Sequence, residues 1–266
     1  MNLIASCIKR FINLFSSIIR KNKDVLKYLF TVSLKNEIID FYDNEFLKGY
    51  THIDKTIITA KKICKGNFII VDVGGADGTT GKIFSKNFPE NEIWIFEPLQ
   101  ENYLQIENLK TQFHNFNLFP NALGSKHEKS IINKADRITS SSIFNLNPDS
   151  KSEIFSEILE KRGEEEIEIT TLDTIIPADK TIGILKIDVQ GYELEVLKGG
   201  DQSLKRTNLI VLELNNHNGY VGAPKYYEVD NYLRNCAFTL YDIFPSAKDK
   251  GHLKEWDAIY INNRLI

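Results

Sequence analysis

Cysteine is scarce in this chain. Only Cys7, Cys64 and Cys236 carry thiols, and they lie far apart. The spacing contains no CxxC pair and no zinc-ligand pattern, which excludes a disulfide framework and a structural zinc site. Three reduced thiols fit a cytosolic protein. Long apolar runs are missing too. No stretch reaches the roughly 18 uncharged apolar residues of a membrane-spanning helix. The nearest run, Phe11 to Ile19, is interrupted by Asn13, Ser16 and Ser17. Arg20-Lys21 then stand where a secretory signal would need small residues for cleavage. Neither sign of charge dominates: 33 basic and 36 acidic residues give a net charge of −3. That balance offers no electrostatic footprint for nucleic acid.

What is present is ordinary for a globular protein. Hydrophobic residues make up 42% and charged residues 26%, which excludes collagen-like, low-complexity and wholly disordered chains. At about 150 residues per domain, 266 residues make one or two domains. A domain of this size buries roughly 70–75% of its unfolded surface and needs no covalent or metal staple.

The small net charge conceals an asymmetry. Residues 1–35 carry seven basic residues against Asp24 alone, a net +6. The remaining 26 basic and 35 acidic residues leave −9 on residues 36–266. In the first segment Ile4, Ile8, Phe11, Ile12, Phe15, Ile18 and Ile19 follow helical steps of three and four. Lys9, Asn13, Ser16, Arg20, Lys23 and Lys27 take another face. This is an amphipathic, basic helix. Two readings stay open: peripheral contact with an anionic membrane, or packing on its own domain or a homo-oligomer partner with the lysines solvated. Residues 36–65 also read as helical, with Lys61, Lys62 and Lys65 at a helix C-terminus and Gly66 as its stop. The domain boundaries expected are therefore a helical extension over 1–65 and an α/β domain over 66–266.

Phe68 to Val73 is a short β-branched run, suited to a strand buried on both faces. It leads into Gly74-Gly75-Ala76-Asp77-Gly78, and a helix is expected from Thr79 to Pro89. Strand, glycine turn and helix N-terminus form a nucleotide-binding corner. The next strand, Ile93 to Phe96, ends at Glu97-Pro98. An acidic residue there is placed to accept hydrogen bonds from ribose hydroxyls. Counted from Gly74, a dinucleotide fingerprint G-x-G-x-x-G would need glycine where Ala76 and Thr79 stand. The spacing D-x-G-x-G-x-G matches Asp72, Gly74 and Gly78, with Ala76 at the middle glycine. That spacing resembles the first motif of the class I S-adenosylmethionine-dependent methyltransferases.

Further along, a helix is expected over Gln100–Thr111, a strand over Phe116–Phe119 and a helix from Ser152 to Lys161. Residues 125–170 read as less regular. Strands are then expected over Ile184–Val189 and Leu209–Leu214. The carboxyl end offers two late strands, Phe238–Ile243 and Ala258–Ile261. Asp242, Pro245 and Lys248–Lys250 mark a loop between them.

Val71-Asp72-Val73-Gly74, Phe96-Glu97-Pro98, Asn121-Ala122-Leu123-Gly124, Thr171-Leu172-Asp173 and Leu185 to Glu193 occur in this order. Together they resemble the FkbM family of methyltransferases, across roughly residues 67–262. Gly75-Ala76-Asp77 departs from the family's Ala-Asn pair after the first glycine. The resemblance implies a Rossmann-like class I methyltransferase fold: a seven-stranded, mostly parallel sheet with an antiparallel last strand. It implies S-adenosylmethionine as cofactor and a hydroxyl on a sugar, glycolipid or other natural product as acceptor. By position, Gly74, Gly75 and Gly78 form the turn, and Asp72 supports the loop or the methionine ammonium. Glu97, with Pro98, meets the ribose, and Asn121 and Ala122 meet adenine. Ser141 and Ser142 border the cofactor.

Asp188 ends a strand on the reactive edge of the sheet and is the first candidate for catalysis or acceptor orientation. Lys186 precedes it by two residues on the same face and keeps it ionised, or simply forms a structural ion pair. His217 is the best-placed histidine for a general base. Asp188, Glu213 and His217 could converge on a metal, but linear spacing does not show it, and no metal is expected to be required. Two other readings remain: a nicotinamide-dependent oxidoreductase, and a non-catalytic, membrane-associated protein on a cofactor fold.

Overall fold

The structure is a computed structural model that describes residues 51–135, 140–147 and 161–265. The basic arm of residues 1–35 and the helical reading of 36–50 lie outside them. So does the helix expected from Ser152, apart from Lys161, which opens a strand.

One compact unit runs from Thr51 to Ile266. It starts with helix α1 (His52–Ile63), which the sequence reading placed in the extension. The Thr51 hydroxyl accepts from the Asp54 N–H, and the Asp54 carboxylate accepts from the Thr51 N–H, so the helix start caps itself. Ile53, Ile57 and Ala60 then bury one α1 face in the core. That burial is why α1 belongs with the sheet.

The main sheet comprises β1 (Ile69–Val73), β2 (Ile93–Phe96), β3 (Phe116–Phe119), β7 (Ile182–Ile187), β8 (Thr207–Asn215), β9 (Phe238–Asp249) and β10 (His252–Asn262). The strand order is β3-β2-β1-β7-β8-β10-β9. The first five are parallel, while β10 runs antiparallel to both β8 and β9. This is the seven-stranded sheet with an antiparallel last strand that the sequence implied. Alternation splits β1 between two cores. Ile69, Val71 and Val73 face one, and Ile70 faces the other. Helices α2 (Thr79–Asn87) and α3 (Gln100–Leu109) follow β1 and β2, and α7 (Tyr226–Asn235) follows β8. Short helices α4 (Leu172–Ile175), α5 (Glu193–Lys198) and α6 (Asp201–Lys205) flank β7.

Two regions differ from expectation. The stretch read as irregular holds a second sheet of β4 (Ala122–Leu123), β5 (Glu128–Ala135) and β6 (Lys161–Thr170). The Glu164-Glu165-Glu166 run lies inside β6. Lys129 meets Glu166 at 2.9 Å and Lys134 meets Glu165 at 3.1 Å across the strand pair. The second difference is the β9–β10 loop. Asp242, Pro245 and Lys248 lie within β9, and the chain reverses only at Lys250-Gly251, with φ of 48° and 83°. Pro245 is tolerated because β9 is an edge strand and its pairing with β10 is irregular there.

Candidate functional site

A cleft of about 350 Å³ opens at the carboxyl ends of β1, β2 and β7. Its floor is formed by residues Gly74, Gly75, Ala76 and Asp77 of the glycine turn. Gly74 has φ of 79°, and a Cβ there would sit 2.0 Å from the Asp188 carbonyl oxygen. The Gly74 and Gly75 N–H groups both donate to the Phe96 carbonyl, at 3.0 and 3.1 Å. A Cβ on Gly75 would strike Ile95, and one on Gly78 would press on Leu109 and Ile106. These glycines serve the close fit of turn, strands and α3. Gly78 does not reach the cleft wall, whereas Gly74 and Gly75 do.

Glu97 ends β2 on the cleft wall and is almost fully buried. Its Oε2 accepts from the Ala76 N–H at 2.8 Å, and Oε1 accepts from the Leu99 N–H at 3.0 Å. Asn102 Nδ2 donates to the same Oε1 at 3.2 Å. One carboxylate thus ties the glycine turn to the start of α3. Burial outweighs these three hydrogen bonds and pushes Glu97 up to about 7.

Asp72 is the next-to-last residue of β1, with a fully buried side chain, and its register partner on β7 is Lys186. Lys186 Nζ is 3.2 Å from Asp72 Oδ1 and 3.6 Å from Asp188 Oδ2, and it donates to the Gly74 carbonyl at 3.1 Å. Burial alone would drive the ammonium to shed its proton. The Asp72 and Asp188 carboxylates outweigh it and hold the lysine above its ordinary range. Asp72 therefore acts through Lys186 and sits behind the cleft wall. Asp188 is on the wall with its side chain 39% exposed. Gln190 Nε2 donates to its other oxygen, Oδ1, at 3.1 Å. Gln190 holds a left-handed φ of 55°, a conformation that costs a non-glycine residue about 1–3 kcal/mol.

Pro98, Asn121, Ala122 and Ser141 also line the cleft. Ser142 does not: its hydroxyl is turned to the Gln190 carbonyl at 2.6 Å and braces that turn. His217 is likewise off the cleft wall. Its Nδ1 accepts from the Gly219 N–H at 2.9 Å. Burial, aided by Lys225 and Lys254, pushes it down to about 4. An imidazole that weakly basic and outside the cleft lining is poorly suited to act as a general base there. Among the described residues no cluster of three His, Cys, Asp or Glu side chains could hold a metal ion.

A model of the FkbM methyltransferase domain matches residues 51–240. The chain belongs to the FkbM methyltransferase family. It is an S-adenosylmethionine-dependent methyltransferase, and family membership decides between the methyl donor and the nicotinamide that the glycine spacing left competing. No curated protein matches it in sequence. Among solved structures it is similar to a TehB-like S-adenosylmethionine-dependent methyltransferase from Corynebacterium glutamicum, at 10% identity, 86% and 97% coverage of the two chains, and TM-score 0.42. It is also similar to magnesium protoporphyrin IX methyltransferase from Synechocystis with bound S-adenosylmethionine, at 8% identity, 86% and 97% coverage, and TM-score 0.44. An rRNA methylase from Streptococcus thermophilus shares 9% identity over 80% and 96% of the chains, at TM-score 0.45.

The FkbM cleft fits its cofactor on an independent observation. Asn102 lines the cleft, and its Oδ1 is buried and without a hydrogen-bond partner among the described residues. A bound hydroxyl or amino group would satisfy it, removing a cost of about 1–3 kcal/mol. Neither Asn102 nor Gln190 stood among the sequence-predicted site residues.

Proposed function

We propose that this FkbM methyltransferase O-methylates a hydroxyl group of a sugar, glycolipid or other natural product. The observation that carries the reading is Asp188. Its carboxylate is half-exposed on the cleft wall, and Lys186 and Gln190 fix its two oxygens. A hydroxyl acceptor must lose a proton as it is methylated, and a fixed, exposed carboxylate is suited to orient that hydroxyl and take its proton. The bound cofactor supplies an electrophilic methyl group on a sulfonium.

The protein's own contribution is placement. Glu97, Asn102 and Asn121 are offered for the ribose and adenine, Gly74 and Gly75 shape the floor, and Lys186 holds one oxygen of Asp188 at 3.6 Å. Holding reactants aligned supplies on the order of 7–11 kcal/mol in well-oriented systems. A proton-accepting group typically adds about 10²–10⁴-fold. Residues 1–35 complete the reading: their basic amphipathic pattern suits peripheral contact with an anionic membrane that carries the acceptor.

The test is mass spectrometry of glycans and glycolipids from cells with and without the gene, and with an Asp188→Asn copy. The expected result is an O-methylated glycan that disappears with the gene and falls about 10²–10⁴-fold with the variant. A methyl group found only on nitrogen or carbon of another metabolite would overturn the reading.

A further inference from the structure

A second cavity, of about 220 Å³, lies between the end of β5 and the loop that follows β8. Its wall includes Asn133, Ser140, Ser142, Phe144, Asn145 and Tyr220. The composition is specific in kind. Lys134 is the single ionisable group of basic or acidic type on this wall, and Glu165 neutralises it at 3.1 Å. A phosphate or carboxylate would find no free cation among the described residues here. The remaining polar groups are neutral amides and hydroxyls. The Ser140 hydroxyl and the Asn145 amide have no hydrogen-bond partner among the described residues. Phe144 and Tyr220 add two aromatic rings. Aromatic faces take the C–H face of a pyranose, and amides and hydroxyls take its hydroxyls.

The cavity is joined to the cofactor cleft through one residue. Gln190 lines the cleft and reaches Asp188 with its amide N–H. On its other side, Oε1 accepts from the Tyr220 hydroxyl at 3.0 Å, and the main-chain carbonyl accepts from the Ser142 hydroxyl at 2.6 Å. Tyr220 and Ser142 are walls of the second cavity. The hydrogen bonds run Tyr220 to Gln190 to Asp188 without a break. With Oε1 held by a donor, the Gln190 amide cannot flip, so its N–H stays on Asp188. The strained backbone at Gln190 is retained at this junction.

We propose that the second cavity seats a neutral, polyhydroxylated glycosyl group of the acceptor, and that Gln190 couples this seat to Asp188. The proposal rests on the glycan reading above and goes further by naming where the acceptor is held. A sugar in the cavity presents the adjoining hydroxyl toward Asp188. Gln190 is a positioning residue, since it acts through Asp188, while Tyr220 anchors Gln190 and, from the cavity wall, offers its hydroxyl oxygen to a sugar hydroxyl.

The test uses the full chain saturated with S-adenosylhomocysteine. Saturation-transfer NMR and titration are run with methyl α-D-glucopyranoside, methyl α-D-mannopyranoside, methyl α-L-rhamnopyranoside and N-acetylglucosamine, with inorganic phosphate as the anionic control. At least one sugar is expected to bind, and phosphate is not expected to displace it. Asn145→Ala and Tyr220→Phe are expected to weaken that sugar about ten-fold each, the effect of one lost hydrogen bond to a neutral group. S-adenosylhomocysteine affinity and the melting temperature of Asn145→Ala should stay at wild-type values, because that side chain is exposed. Binding of none of the sugars overturns the proposal. So does a sugar whose affinity both variants leave unchanged, since it then sits elsewhere. Either failure leaves O-methylation standing, because that reading falls only if the methylated glycan itself is missing from cells carrying the gene.

Discussion

Glu97 is a carboxyl poised near neutrality at the point where ribose hydroxyls are proposed to donate. In the free protein burial holds it at about 7. A hydroxyl donating to the ionised form favours loss of that proton, so cofactor binding and deprotonation reinforce each other. S-adenosylhomocysteine affinity is therefore expected to rise by up to about ten-fold per pH unit below 7 and to level off above it. Calorimetric titration from pH 5.5 to 8.5 measures this, and Glu97→Gln should flatten the profile; an unchanged slope in the variant would assign the proton to another group. The Asp72–Lys186 pair makes a second residue-scale argument. Lys186→Met strands a fully buried carboxylate, which typically costs about 3–5 kcal/mol. Replacing both, Asp72→Leu with Lys186→Met, should recover most of that loss in urea unfolding, although Asp188 then loses its cation and turnover stays low. At this scale the sequence told where the charged residues stand and little about how they partner. Glu97 and Asp188 were legible because they end β-branched runs. Asn102 was not, because only the fold of α3 brings its amide back onto Glu97. His217 looked like a base because linear sequence shows neither its burial nor the lysines beside it.

At the scale of elements, the central strands were readable because they are apolar on both faces and end at glycine or acidic punctuation. The pair β5–β6 escaped notice because few of its residues, Ile132, Ile167 and Ile169, are buried in a core cluster, and its run of glutamates, paired across the strands with lysines, carries no strand signal of its own. The late hairpin was mistaken in its middle for the same kind of reason: Asp242, Pro245 and Lys248 resemble loop residues, yet an edge strand tolerates all three. Its turn leads to a further expectation. Lys250 and Gly251 both have positive φ, the geometry of a two-residue turn that prefers Asn-Gly. Lys250→Asn removes the mismatch and should stabilise the protein by about 0.5 kcal/mol or more. That corresponds to a melting-temperature gain of roughly 1–2 °C in a domain of this size. A drop in melting temperature would show that the lysine contributes something the turn geometry does not. Asn at this site touches nothing in the cofactor cleft, so S-adenosylhomocysteine affinity should not move.

For the whole molecule, the division of charge is the property that neither the fold nor the family accounts for. The family model begins at residue 51, where the compact unit also begins. The +6 segment lies wholly before that point. Among the described residues no helix is long and apolar enough to cross a membrane. Attachment through the basic segment, whose apolar run from Phe11 to Ile19 is interrupted by Asn13, Ser16 and Ser17, is proposed to be interfacial and electrostatic in part. Each lysine or arginine near an anionic surface contributes about 1 kcal/mol, and the contribution fades within a Debye length as salt rises. Flotation with phosphatidylserine-containing vesicles should then recover the full chain at low salt, less of it at high salt, and little with neutral vesicles. The fragment 51–266 carries a net charge of −6 and should stay with the unbound protein while still binding S-adenosylhomocysteine. Equal flotation of the full chain and the fragment would sink the membrane assignment. A fragment that no longer binds S-adenosylhomocysteine would show instead that the arm supports the domain itself, the packing alternative its amphipathic pattern left open.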